Sequence, residues 1–78
     1  MVTIGDFAFW GCENLTKVVA LKNVITIKDY AFNDCKNLAN VTGLSQLESI
    51  GIGAFANCPA LKELILPKTV NSIGQNAF

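Results

Sequence analysis

The chain aligns with itself at an offset of 23 residues, with no insertion or deletion anywhere in its 78 positions. Ile4, Ile27, Ile50 and Ile73 fall into one column. Ala8, Ala31, Ala54 and Ala77 fall into another, followed at once by Phe9, Phe32, Phe55 and Phe78. Cys12, Cys35 and Cys58 form a fourth column, then Leu15, Leu38 and Leu61, then Val18, Val41 and Leu64, then Val24, Leu47 and Val70. Gly5, Gly51 and Gly74 share a column in which Lys28 is the exception. A unit of this length cannot bury such an apolar set by itself. Stacked units can, and each column then becomes a ladder of like residues about 4.8 Å apart. The period therefore excludes most globular folds and points to a solenoid.

One unit reads as three clauses. Gly5 to Cys12 carries Ala8, Phe9 and Cys12 at spacings that share one face, which predicts a short helical turn with its buried side inward. Leu15 to Leu21 follows as a strand, with Leu15, Val18 and Ala20 inward and Lys17 and Val19 outward. Val24 to Ile27 is a second extended piece, with Val24 and Ile27 against the opposite wall of the core. Turn residues separate the two extended pieces: Lys22-Asn23, Ser45-Gln46, and Lys68-Thr69 behind Pro67. The expected fold is an α/β solenoid in a single segment, 1–78. It has about three coils (4–26, 27–49 and 50–72) and a partial fourth (73–78), each with a short parallel strand, a second short extended segment and a helical turn. The Phe column is expected to form an aromatic spine.

Ala8-Phe9-Trp10-Gly11-Cys12-Glu13-Asn14-Leu15 has the form A-F-x-x-C-x-x-L. Leu61-Lys62-Glu63-Leu64-Ile65-Leu66-Pro67 has the form L-x-x-L-x-L-P, and Val70 to Phe78 the form V-x-x-I-G-x-x-A-F. Together they resemble the BspA-type leucine-rich repeat, along the whole chain. Repeat two departs from it: Gly43 takes the sixth strand position and Leu44 stands where the proline would be. Repeat one has Ala20 and Leu21 there. A thinner core is expected at that corner in both. The resemblance implies a cell-surface or secreted setting, chiefly in bacteria that live in animal hosts, and adhesion to host extracellular-matrix proteins or to other cells. It carries over no binding residue, because the shared motif is the core.

The side chains offer little chemistry. Six Lys balance six Asp plus Glu, and Arg is absent, so no basic patch or arginine fork points to nucleic acid. No apolar run approaches the roughly 20 residues that span a bilayer. The cysteines recur every 23 residues with no histidine beside them, which is not a zinc spacing. In a ladder their Cβ atoms stay about 5 Å apart, where a disulfide needs about 3.8 Å. They are expected to be small buried hydrophobes. Without histidine, nucleophilic catalysis lacks its usual base. Asp6 and Asp29 share a column whose third member is Ile52. Gly51 and Gly53 read as turn positions rather than a phosphate cradle. The expectation is a non-enzymatic chain with no cofactor and no metal.

Ligand contact, if this segment makes any, is expected on the outward strand positions. These are Lys17, Asn40 and Glu63 in one column and Val19, Thr42 and Ile65 in the next. Exposed apolar residues there are compatible with a protein-binding patch, and more readily with plain strand propensity. Trp10, whose column continues as Asn33 and Ala56, is expected to be exposed, and reads equally as a binding aromatic or as a residue that packs against a preceding repeat. A protein-interaction module of a surface adhesin and a structural spacer with recognition elsewhere are the two readings left open. The hydrophobic share of 51% and the lack of a polar cap fit a piece of a longer array, expected to self-associate through its uncapped ends.

Overall fold

The computed structural model describes residues 2–19 and 22–78. Seven short strands wind in one direction: β1 (Val2–Ile4), β2 (Lys17–Val18), β3 (Val24–Ile27), β4 (Asn40–Val41), β5 (Ser49–Ile50), β6 (Glu63–Leu64) and β7 (Ser72–Ile73). They form two parallel sheets, one in the order β1-β3-β5-β7 and one in the order β2-β4-β6. Lys17 faces Asn40 and Asn40 faces Glu63, each a step of 23 residues, and Ile27, Ile50 and Ile73 pair in the same way. The one irregularity lies between Val2 and Thr3. The second extended segment thus carries a four-stranded sheet of its own.

The core lies between the sheets. Ile27, Ala31, Phe32, Cys35, Leu38, Val41, Leu47 and Ile50, all from the middle of the stack, are buried. Leu15, Val18, Leu61 and Leu64, in the same columns on the flanking coils, are only partly so. Phe9, Phe32, Phe55 and Phe78 stack with ring centroids 5.1, 5.2 and 5.7 Å apart and planes within 7° of parallel, the aromatic spine that the sequence predicts.

The third side of each coil is not helical, and this corrects the α/β expectation. Among the described residues every regular element is a strand. The segment Gly5 to Cys12 is instead a chain of tight turns, closed by N–H groups of Ala8, Trp10 and Cys12 to the carbonyls of Gly5, Phe7 and Phe9, three residues back. The alternate N–H groups, of Phe7, Phe9 and Gly11, donate across to Asp29, Ala31 and Asn33 of the next coil, at 2.7–3.0 Å. A helix would have kept all of these bonds within the segment. Two backbone positions per coil enforce the difference. Phe7, Tyr30, Gly53 and Asn76 all have φ between 57° and 60°, and Gly11, Asp34 and Asn57 between 58° and 70°. A left-handed residue at the third place of a turn stops helix propagation and redirects the next N–H outward.

The corner at Gly43 also departs from expectation. Leu44 is buried, so the corner is filled rather than thin. Gly43 has φ 81°, a conformation open to glycine, and the residue after it enters the core in place of a side chain at the sixth position. The equivalent corner of repeat one, with Ala20 and Leu21, lies outside the described residues, as does the inward placement expected of Ala20.

Gly51 and Gly74 are close-approach positions. A Cβ on Gly51 would sit 2.5 Å from the Lys28 carbonyl carbon and 2.6 Å from the Asp29 nitrogen, and one on Gly74 would sit 2.5 Å from the backbone of Gly51 and Ile52. Gly53 is a left-handed turn residue whose Cβ would meet the Tyr30 ring at 2.7 Å, and Gly51 opens the same turn, its carbonyl accepting the Ala54 N–H, so both are the turn positions that the sequence suggests.

Candidate functional site

The outward positions of β2, β4 and β6 form a small ordered face. Lys17, Asn40 and Glu63 are registered neighbours across the three strands. One residue further on, the ladder continues through Thr42 N–H to Val18 O (2.9 Å) and Ile65 N–H to Val41 O (3.3 Å). Val19, Thr42 and Ile65 therefore follow the register, one per rung. Val19 is 54% and Ile65 59% exposed, while Thr42 between them is half-buried. Along the other column the formal charge runs from Lys17 through neutral Asn40 to Glu63, with Lys17 and Glu63 exposed.

The cysteines have a further role that their spacing alone did not reveal. All three are free thiols. Cys35 Sγ donates to the Phe9 carbonyl and Cys58 Sγ to the Phe32 carbonyl, each at 3.1 Å. Each thiol thus satisfies a carbonyl of the preceding coil at the aromatic column, while Cys35 is fully buried and Cys12 and Cys58 partly so. Burial is the main cause that raises the Cys35 and Cys58 thiols above their ordinary pKa, so both stay protonated and donate. Such thiols are poor nucleophiles.

The carboxylates of Asp6 and Asp29 also act between coils. Asp6 Oδ1 accepts the Asp29 N–H at 3.1 Å, and Asp29 Oδ1 accepts the Ile52 N–H at 2.9 Å. Hydroxyls continue this theme, with Ser49 Oγ to Thr26 Oγ1 at 3.2 Å. These are structural bonds, and among the described residues no group of three or more His, Cys, Asp and Glu side chains is arranged to hold a metal ion.

A second surface feature lies on the turn side. Phe7, Trp10 and Tyr30 form an exposed aromatic cluster. The Phe7 and Tyr30 rings stack at 5.2 Å and 15°, and Trp10 meets Phe7 edge-on at 6.5 Å and 79°. Phe7 is 56% and Trp10 57% exposed. Trp10 is thus as exposed as its sequence column suggests, but Asn33 in that column is buried, with its Nδ2 donating to the Gly53 carbonyl at 3.1 Å. Phe7 and Tyr30 were not marked by sequence reasoning. The available signal was their column: it ends in Gly53 and Asn76, the residue types that accept positive φ, whereas a bulky side chain there costs about 1–3 kcal/mol.

The geometry defines a parallel two-sheet solenoid. Residues 2–78 match the family described as BspA type Leucine rich repeat region (6 copies), and the chain belongs to that family. The repeat is a non-enzymatic, protein-interaction type, typically surface-associated. The chain has no match among the curated proteins or the solved structures.

Proposed function

We propose that the chain, read as one solenoid segment over residues 1–78, is a protein-binding module of a bacterial cell-surface or secreted protein, with adhesion to a host or matrix protein as its role. The binding face in this reading is Lys17, Val19, Asn40, Thr42, Glu63 and Ile65. The observation that carries it is the strip of Val19, Thr42 and Ile65. A registered row with two well-exposed β-branched apolar residues, beside a row that runs from positive to negative, offers both apolar area and charge matching to a protein surface. No cofactor, metal, nucleic acid or membrane insertion enters this reading.

The spacer alternative draws on one specific observation. The residues of the two rows change in charge and polarity from rung to rung while the core columns stay apolar, and a length of scaffold is selected on its core alone. Direct binding separates the two. The chain and a variant with Lys17→Ala, Val19→Ser, Thr42→Ala and Ile65→Ser are passed over immobilised extracellular-matrix proteins. Binding by the parent that the variant loses supports recognition by this face. Binding by neither assigns the segment a scaffold role.

A further inference from the structure

We propose that the aromatic cluster on the turn side is a second docking surface, one that takes arginine or lysine side chains from an extended basic segment of a protein partner. It is separate from the strand face above, and its test does not depend on that face.

The argument begins with where the repeat rule is broken. The left-handed column holds Gly53 and Asn76 in the later coils, as its backbone geometry favours, but Phe7 and Tyr30 in the first two, at φ 58° in both. The next outward column holds Trp10 where Asn33 and Ala56 follow. Three aromatic departures from the repeat converge on one patch, with Phe7 in contact with both other rings. Phe7 and Trp10 are more than half exposed, and Tyr30, whose ring lies over Gly53 and against Phe7, keeps 37% of its surface open. Phe7, left-handed at φ 58° and still 56% exposed, is the kind of residue that a binding role retains.

Charge identifies the occupant. Asp6 precedes Phe7, Asp29 precedes Tyr30, and Glu13 and Asp34 lie further along the same two turn segments. From Asp6 to Glu13 and from Asp29 to Cys35 there are four carboxylates and no cation, with Lys28 and Lys36 just outside. The matching stretch of the third coil, Ile52 to Cys58, has neither charge nor an exposed aromatic ring. Acidic groups and aromatic faces therefore occur together, on the same two coils. Aromatic faces attract cations through the ring quadrupole, Trp most strongly, and carboxylates beside them add Coulombic attraction. Guanidinium groups suit both, since they stack flat and donate to carboxylates.

Trp10 is the chain's single tryptophan and reports on the patch directly. A capped hexa-arginine peptide is titrated into the full chain at low salt while Trp10 emission is followed. Saturable change is expected. Phe7→Asn with Tyr30→Asn removes two rings and installs a residue that the left-handed backbone accepts, so the fold is kept. Affinity is expected to fall by about tenfold or more. Asp6→Asn with Asp29→Asn keeps a side-chain oxygen for each cross-coil hydrogen bond and removes only charge. About a threefold or larger loss is expected, and it provides the test should the aromatic variant fail to fold. Glu48→Gln, an exposed carboxylate just before β5 and outside both faces, should leave binding unchanged. The proposal is overturned if hexa-glutamate or an uncharged hexasaccharide perturbs Trp10 as well as hexa-arginine does. It is also overturned if the folded aromatic or charge variant binds hexa-arginine like the parent, or if no titrant changes the emission.

Discussion

Phe32 sits at the middle of the aromatic spine, and its removal gives a sharp test of the stacked-coil account. Its ring is 1% exposed and lies between Phe9 at 5.1 Å and Phe55 at 5.2 Å, nearly parallel to both. Phe32→Ala deletes the ring from both contacts and leaves a cavity that two neighbouring coils must collapse to fill. The expected cost is about 3–5 kcal/mol. A domain of this length has a total stability of about 4–12 kcal/mol at ordinary per-residue values. The substitution therefore removes a large fraction, and at the lower end of the range all of it. Phe9→Ala is the internal control. Phe9 is 40% exposed and stacks on one ring only, so about 1–2 kcal/mol is expected. Guanidinium unfolding followed by circular dichroism reads both. With a slope of about 2 kcal/mol per molar, Phe32→Ala should lower the midpoint by about 1.5–2.5 M or abolish the folded baseline, and Phe9→Ala by about 0.5–1 M. A midpoint for Phe32→Ala within about 0.3 M of the parent, or equal losses from the two substitutions, would refute the reasoning.

Two further outcomes follow from the contacts between coils. Gly51→Ala forces a methyl to within 2.5 Å of the Lys28–Asp29 backbone and should destabilise by more than about 1 kcal/mol, whereas a Cβ on Gly5 meets nothing within 4 Å and Gly5→Ala should be near neutral; thermal melts compare them directly. The folded state holds the Cys35 and Cys58 protons more tightly than the unfolded state does, so their contribution is fully present below the unfolded thiol pKa and is lost as pH rises past about 8.5–9. Stability measured by denaturant titration from pH 7 to pH 10 should accordingly fall more steeply in the parent than in Cys35→Ala, and parallel slopes would count against buried, donating thiols.

The core was legible in the sequence because identity down a column requires nothing beyond the period. Ile27, Phe32, Leu38 and Val41 take their places from the offset of 23 alone. The turn side was misread for a local reason. Ala8, Phe9 and Cys12 have a spacing that fits a helix face, and the bonds that decide the matter run to the next coil, which a single unit does not display. A signal was nonetheless present in Gly11, Asp34 and Asn57, a column made only of residues that tolerate left-handed backbone. Phe7 and Tyr30 concealed the companion column. The thiol bonds to Phe9 and Phe32 depend on the stagger between coils, which residue spacing does not encode. On the strand face, the alternation around Lys17 and Val19 located the outward positions, but the partial cover of Thr42 is a property of the packed rungs.

The strict register has a consequence in genetic terms. Each strand pairs only with the corresponding strand one coil before or after it, at a step of 23 in every full rung. An in-frame duplication of one such stretch of gene would insert a complete coil whose two surfaces match those it separates, and its loss would let the neighbours close on each other with the same bonds. A duplication whose length is not a multiple of 23 would shift the Phe, Cys and Ile columns out of line at once. Length in such a molecule is thus free to change in whole coils, while the outward residues diverge copy by copy.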